Sequence, residues 1–309
     1  MSLVVQRVPW VVRRTPQLRR RLNVAATIAL LPTTLIVLVV YVGCMLWTIR
    51  LSFTSTKLLP VLDWVGFAQY ERLFANERFL ISLKNILTFG AFYIVGCLVF
   101  GFLLAVFIDQ KVRGEAIFRT IFLYPYAMSL IVTGLVWQWF FNPMLGFQKL
   151  GRDLGIEGFT FNWLMSQDMV IYTIIIASIW QGSGLIMCIM LAGLRGVDES
   201  LWKAARIDGV PMWRYYLSIV APLMGPMIAT AAVILAIHVI KLYDLVVAMT
   251  RGGPGVASDV PAKFVMDHLF ERNNGGLAMA CATMMLITVA AVLAPWIYAR
   301  YVRALRGRA

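Results

Sequence analysis

Long apolar runs alternate with short polar segments along almost the whole chain. Six runs are long enough to cross a bilayer as helices, since a crossing needs about 20 apolar residues and a longer run crosses with some tilt. They are Asn23–Ile49, Asn85–Ile108, Ile117–Phe141, Met169–Leu194, Tyr216–Val247 and Leu277–Tyr301. The pattern predicts an all-α integral membrane protein with six transmembrane helices.

The fifth run departs from a simple crossing in two ways. It is over-long and carries Pro222 and Pro226 near its start, so we expect a helical extension that kinks at these prolines. Near its other end lie Lys241 and Asp244, the only charges well inside an apolar run. They are either an ion pair at the outer membrane interface or a polar lining of a substrate path.

Composition and charge agree with a membrane protein. Hydrophobic residues make up 61% of the chain and charged residues 14%, whereas a soluble domain has about 25% charged residues. The net charge of +13 does not indicate nucleic-acid binding, because no folded soluble domain remains to carry it. Lys and Arg are most abundant before the first run, after the second and fourth, and after the sixth, which places both termini in the cytoplasm.

This orientation divides the chain into segments. A basic cytoplasmic arm (1–22) precedes the first transmembrane helix (23–49) and an external loop (50–84). A five-helix core follows (85–301), and it contains a cytoplasmic segment at 198–222, which we call the coupling segment. A basic cytoplasmic tail (302–309) ends the chain.

Motifs for catalysis, nucleotide binding and metal binding are missing from the sequence. There is no G-x-x-x-x-G-K-[ST] phosphate loop and no histidine or cysteine pair with metal-ligand spacing. His238 lies inside the fifth run, where a packed and hydrogen-bonded histidine is expected, and His268 is expected to be a solvated loop residue. We therefore predict no enzyme activity, no metal and no cofactor in this chain.

The coupling segment carries its own helix signals. Asp198 can accept hydrogen bonds from the free amide groups of a helix start, and Glu199 suits the positive end of the helix dipole. Gly209 tolerates the left-handed backbone that ends many helices, and Pro211 fits the start of the next one. Two short helices joined at Asp208-Gly209 are predicted. The first has a small apolar face formed by Leu201, Ala204, Ala205 and Ile207.

The coupling segment also resembles a known motif. Binding-protein-dependent ABC permeases have Glu-Ala-Ala, then Gly three residues later, then Ile and Pro at fixed spacing in a cytoplasmic loop. The chain matches this motif at Ala204, Ala205, Asp208, Gly209, Ile219 and Pro222, and it has Lys203 where the family has Glu. In the family this helix docks into a cleft of the ATPase subunit, so these seven positions are the expected ATPase-coupling residues.

The resemblance extends over about residues 51–298. Tyr243-Asp244-Leu245-Val246 and Gly252-Gly253-Pro254-Gly255 look like carbohydrate-uptake permeases, as do Asn85 and Leu123-Tyr124-Pro125-Tyr126. Asp109-Gln110-Lys111 and Ala192–Asp198 are most similar to permeases of glucose/mannose-type importers. The resemblance implies a type I ABC importer permease fold and a monosaccharide substrate such as glucose or mannose.

The same resemblance implies partners. These are a second six-helix permease subunit that is different from this chain, two ATP-binding subunits that hold ATP and Mg²⁺, and an extracytoplasmic sugar-binding protein. The location implied is the bacterial inner membrane. Closure of the ATPase subunits would then move the coupling segment as a rigid body and produce alternating access.

A path for sugar needs hydrogen-bonding groups and aromatic faces. Candidates are Asn85 in the second run, Trp180, Gln181 and Ser183 in the fourth, and Tyr243 and Asp244 in the fifth. For residues 180–184 the alternative is close helix packing through small residues. Two other functions remain open from the sequence: a self-contained secondary carrier or channel for small polar solutes, and a membrane scaffold with no path.

Overall fold

The computed structural model describes residues 27–57, 59, 62–110, 112–156 and 158–306, with side chains up to 291 and at 293, 294 and 298. The predicted basic arm, the first residues of the first run, Lys111 and the end of the tail lie outside this range. The chain divides between Arg50 and Leu51 into two units. The described part of the first unit is helical, and its apolar side chains are exposed.

The second unit is also helical, and the residues described contain a single isolated β-bridge, between Thr54 and Trp64. The helices, numbered in chain order, are α1 (Thr27–Leu51), α2 (Ala68–Phe74), α3 (Glu77–Asp109), α4 (Glu115–Ala127), α5 (Leu130–Phe140), α6 (Phe147–Asp153), α7 (Val170–Leu194), α8 (Glu199–Ile207), α9 (Met212–Leu223), α10 (Gly225–Ile240), α11 (Asp244–Met249), α12 (Pro261–Met266) and α13 (Gly275–Arg306).

Several helices of the described chain are long and apolar enough to cross a membrane. By length and composition α1, α3 and α7 can each cross a bilayer, and the number rises to five if the pairs α4–α5 and α9–α10 each form one bent span. Helix α13 has 32 residues and begins with an apolar stretch, Gly275–Ala291. All six predicted runs therefore coincide with helices, although the number of crossings stays a prediction.

Two of the predicted spans are not continuous helices. The third run breaks between Ala127 and Leu130 with a bend of 98°, where Ser129 has extended backbone and caps α5. No strong sequence signal marks this break, and the prediction of one continuous helix was wrong. The expected kink in the fifth run is confirmed by a bend of 77° next to Met224. That run also ends earlier than predicted, because α10 stops at Ile240.

The main core lies between α3 and α7, the most extensively packed pair of helices. Glycines let these helices approach closely, since a Cβ at Gly101 would lie 2.7 Å from Ile186 and one at Gly182 would lie 2.6 Å from the Tyr93 hydroxyl. Gly184 lies directly on the α4 backbone. Close packing through small residues, one of the two alternatives for residues 180–184, is therefore present.

A second core joins α2 and α12 to the N-terminal ends of α3 and α13. Its apolar members include Phe79 and Phe264, which are packed edge to face. His268, predicted to be a solvated loop residue, is instead 3% exposed. Its ring stacks on Phe264 and its Nδ1 bonds the Phe264 carbonyl at 2.9 Å. The prediction failed because the segment after α12 continues as a π-helical turn, Asp267–Glu271, that packs into this core.

Helix α3 connects the two ends of the second unit. Its 33 residues extend over about 50 Å at 1.5 Å per residue. Arg78 at its start bonds to carboxylates of the second core, and Asp109 at its end accepts a hydrogen bond from Tyr216 of α9 at 3.3 Å. One helix thus contacts both the second core and α9.

Candidate functional site

The coupling segment forms two short helices, as the sequence predicted. The Asp198 carboxylate accepts a hydrogen bond from the Ser200 amide at 2.8 Å, and this bond lowers the pKa of Asp198 from its ordinary value. Helix α8, which we call the coupling helix, ends before Gly209, whose φ of +68° is left-handed. Pro211 then caps α9. Both turns are determined by residues that suit these backbone angles.

The residues predicted to form one apolar face of the coupling helix differ in their exposure. Ala205 is 4% exposed and belongs to the main core, so it attaches the helix to its own chain and is not free to contact a partner. Ala204 is exposed, as are Leu201 and Ile207, the latter to 86%. The predicted apolar face is interrupted at Ala205. Trp202 of the coupling helix packs edge to face against Tyr215, and this side of the helix contacts the main core.

Lys203, the departure from the family motif, forms an ion pair with Glu199 one turn earlier. The Lys203 Nζ and Glu199 Oε2 atoms are 3.7 Å apart, and the two side chains are 69% and 71% exposed. Such exposed i,i+4 pairs contribute little to stability, so the charge at this position faces solvent. Asp208 is exposed at the helix end, Ile219 is half-buried in α9, and Pro222 is exposed just before the bend at Met224.

A central cavity of about 350 Å³ lies between the broken spans and the α3–α7 core. One wall is the break between α4 and α5, and another is the non-helical stretch between α10 and α11. Interrupted helices within a membrane are tolerated where they line a cavity, and such interruptions mark the binding sites of many transporters. The lining residues are Phe89, Tyr93, Tyr126, Leu130, Ser178, Gln181, His238, Lys241, Leu242, Tyr243 and Leu245.

The cavity combines aromatic faces with hydrogen-bonding groups. Phe89 and Tyr93 stack with centroids 5.1 Å apart, and Tyr126 stacks on His238 at 6.2 Å. Among the described residues that line the cavity, only Lys241 has a formal charge and none is a carboxylate. Among the described residues Lys241 and Asp244 form no ion pair. The ion-pair alternative is not observed there, because α10 ends before Lys241 and Asp244 begins α11.

Of the six predicted path residues, only Gln181 and Tyr243 line the cavity. The Asn85 amide instead donates to the carbonyls of Ala257 and Asp259 at 2.8 and 2.9 Å, and so it fastens the loop after α11 to α3.

The other predicted residues lie nearby but outside the lining. Trp180 packs edge to face against Trp137 with ring centroids 5.8 Å apart. The Ser183 hydroxyl donates to the Trp180 carbonyl at 3.3 Å, and Asp244 begins α11.

Sequence reasoning missed most of the aromatic lining. Tyr93 and Tyr126 lie in apolar runs with no polar neighbour to mark them, and Ser178 is one turn before Gln181. The only sequence signal was the three-residue spacing of Ser178 and Gln181, because residues three or four apart share one face of a helix. Tyr126 and His238 come together only through the unpredicted break at Ala127–Leu130.

Comparisons with known proteins agree with this architecture. The family described as "Binding-protein-dependent transport system inner membrane component" matches residues 74–304. A probable ABC transporter permease of Pyrococcus horikoshii is 35% identical over 278 residues, covering 88% of this chain and 94% of that protein. The xylose/arabinose import permease of Haloferax volcanii is 30% identical over 275 residues, covering 88% and 86%.

The fold is also found in a solved structure. A chain of a bacterial alginate ABC transporter, in complex with a periplasmic protein carrying an alginate pentasaccharide, superposes with a TM-score of 0.74. Identity is 20%, and the match covers 91% of this chain and 94% of that one. The alternatives of a self-contained carrier and of a scaffold are excluded by the family, in which the permease is a subunit and the ATPase is another. The chain belongs to the binding-protein-dependent transport system inner membrane components and is an ABC transporter permease subunit with the type I importer fold, not itself an enzyme.

Proposed function

We propose that this chain forms half of the translocation path of an ATP-driven sugar importer. The observation that carries the proposal is the central cavity, where tyrosine rings and the Gln181 amide surround about 350 Å³ at the breaks of two spans. Aromatic faces suit the apolar faces of a sugar ring, and amides and hydroxyls suit its hydroxyl groups. The volume is at the small end of ligand sites, which favours a monosaccharide unit.

Glucose or mannose is the substrate that the motif resemblance favours. The relatives act on xylose and arabinose or on alginate by their names, so uptake has to be compared across sugars. Radiolabelled glucose, mannose, xylose and maltose should be offered to a strain that lacks the chain, with and without the gene restored. Restoration of glucose or mannose uptake supports this assignment, and restoration of another sugar alone contradicts it.

The partners follow from the same proposal. A second, different permease subunit completes the path, two ATP-binding subunits hold ATP and Mg²⁺, and an extracytoplasmic protein delivers the sugar in a bacterial inner membrane. The complex of the alginate transporter with a periplasmic protein supports the last of these partners. The coupling helix faces the ATPase subunit in the cytoplasm, in agreement with the excess of Lys and Arg on that side.

Substitutions in the cavity test the substrate path. Gln181→Leu keeps the approximate size of the side chain but removes its hydrogen-bonding groups, and we expect the KM of sugar uptake to rise about tenfold, the equivalent of about 1.4 kcal/mol. Tyr243→Phe should raise it by a smaller factor. Gln167→Leu, an exposed change outside the cavity, is the matched control. An unchanged KM in both cavity variants would show that the central cavity is not part of the sugar path.

Substitution on the exposed face of the coupling helix tests its partner. Ile207 is 86% exposed and ends the helix, so Ile207→Gln should leave the fold intact. Burial of an isoleucine side chain contributes about 1.5–3 kcal/mol, and we expect the affinity for the ATPase subunit to fall tenfold or more. Co-purification and titration measure this loss.

The control for this experiment is Ile156→Gln, at another exposed isoleucine in the loop that leads to the opposite end of α7. It should bind the ATPase subunit like the unaltered chain. Equal binding by Ile207→Gln would show that the subunit docks elsewhere. Sugar uptake by the purified chain without any ATPase subunit would contradict the importer itself.

A further inference from the structure

A second and larger cavity lies next to the coupling helix. Its volume is about 630 Å³, within the range of small-molecule sites. It lies between the C-terminal ends of α3 and α7, the coupling helix and the start of α9, and it shares no lining residue with the central cavity. We call it the coupling cavity. Its walls include Asp109, Arg195, Glu199, Trp202, Tyr215 and Tyr216.

The charge in the coupling cavity is mainly negative. Asp109 is the last residue of α3, where the helix dipole disfavours a carboxylate. Its carboxylate accepts a hydrogen bond from the Tyr216 hydroxyl at 3.3 Å, and no cation pairs with it in the described ranges. Arg195 does not neutralise this carboxylate, because its guanidinium is 2.7 Å from Glu115. Asp109 therefore has no ion-pair partner among the described residues, and Lys111, two residues later, lies outside them.

Aromatic rings complete the cavity. Trp202 and Tyr215 meet edge to face with centroids 4.9 Å apart, and Tyr215 and Tyr216 meet at 5.3 Å and 71°. Tyr215 lines the cavity and is only 6% exposed, and its hydroxyl forms no hydrogen bond with the residues that the structure describes. The hydroxyl is therefore available to a ligand that donates a hydrogen bond in the cavity. Aromatic faces beside a carboxylate attract organic cations.

We propose that the coupling cavity binds a small organic cation with a guanidinium or ammonium group. Asp109 is the counter-ion, Trp202 and Tyr215 are the aromatic walls, and the Tyr215 hydroxyl accepts a hydrogen bond from the ligand. A planar guanidinium fits these groups best, because it both pairs with a carboxylate and stacks on an aromatic ring. The bound cation would hold the coupling helix against the ends of α3 and α7, and so would influence coupling without entering the sugar path.

Calorimetric titration of the complete importer in detergent tests this site without any transport. The probe is butylguanidinium, and butylurea is its uncharged analogue of the same shape. We expect saturable binding of one butylguanidinium per chain and at least about tenfold weaker binding of butylurea, since charge–π and charge–charge attraction together exceed about 1.4 kcal/mol in a partly buried site. Sugar binding or uptake plays no part, so failure of the proposed function leaves this result unaffected.

Variants decide which residues hold the cation. Asp109→Asn should weaken butylguanidinium binding about tenfold and Tyr215→Phe about threefold, while Asp153→Asn, an exposed carboxylate outside the cavity, should have no effect. Tyr215→Phe keeps the test valid if Asp109→Asn does not fold. Equal affinity for butylurea, insensitivity to both cavity variants, or the absence of saturable binding would overturn the proposal. The last result would also follow if a basic side chain of the ATPase subunit fills the cavity, and it counts against a small ligand.

Discussion

Gly184→Ala should destabilise the protein strongly and abolish sugar uptake, although it adds a single methyl group. A Cβ at this position would lie 2.0 Å from the Phe122 carbonyl oxygen and 3.1 Å from the Leu123 Cα, both in the backbone of α4. A backbone cannot move aside as the end of a flexible side chain can, so α4 must shift as a whole. Overpacking typically costs 1–3 kcal/mol, and we expect the top of this range, about 3 kcal/mol.

A loss of this size should lower the Tm in detergent by about 6–12 °C. Uptake should fall further than stability alone requires, because a shift of α4 also displaces Tyr126 and Leu130 at the wall of the central cavity. The measurements are thermal unfolding of the purified chain and uptake at a matched expression level.

Gly225→Ala is the matched control for Gly184→Ala. Nothing lies within 4 Å of a Cβ at Gly225, which begins α10. Alanine is a better helix former than glycine, so this change should leave the Tm unchanged or raise it slightly. If Gly184→Ala and Gly225→Ala gave the same Tm, the close approach of α4 and α7 would not exist in the folded protein.

The sequence predicted the regular parts of this fold because their signals are local. Apolar runs locate α3, α7 and α13, and the caps at Asp198 and Gly209 define the coupling helix, since each signal acts over one or two turns. Pro222 and Pro226 likewise predicted the bend next to Met224. These elements need no knowledge of what packs against them.

The central cavity could not be predicted in the same way. It depends on the break at Ala127–Leu130, where Pro125 lies within α4 and the backbone opens three residues later, at Met128. It also depends on the end of α10 at Ile240, inside an apolar run. Both breaks are decided by tertiary packing, which overrides local propensity. Ala205 shows the same limit, because only the fold shows which side of the coupling helix contacts the main core.

Arg78→Met should have the second large effect, at the end of α3 far from the coupling helix. The Arg78 guanidinium bridges Asp259 and Asp267, and its Cζ lies over the Phe264 ring, 5.7 Å from the ring centroid. Burial alone would raise the pKa of Asp267, but hydrogen bonds from Lys263 and Arg78 outweigh it and lower that pKa from its ordinary value. The Asp259 side chain is only 1% exposed, and its Oδ1 has no hydrogen-bond partner in the part of the chain that the structure describes.

Removal of the arginine leaves a buried carboxylate without its cation, a change that costs about 3–5 kcal/mol when a buried pair is broken. We expect the loop after α11 to detach from α3 despite the two bonds from Asn85, because the Asp259 backbone that accepts one of them belongs to the same segment. Cleavage of residues 251–276 by a protease should accelerate in the folded chain, and sugar uptake should fall with it.

Three variants separate this explanation from a general loss of charge. Arg78→Lys should rescue only in part, because a single ammonium group cannot reproduce the planar fork that reaches both carboxylates. Arg72→Met removes an exposed arginine from α2 nearby and should leave cleavage and uptake unchanged. Asp259→Asn combined with Arg78→Met should recover part of the lost protection, because it removes the uncompensated charge. If the double variant were cleaved as fast as Arg78→Met alone, the buried carboxylate would not be the cause.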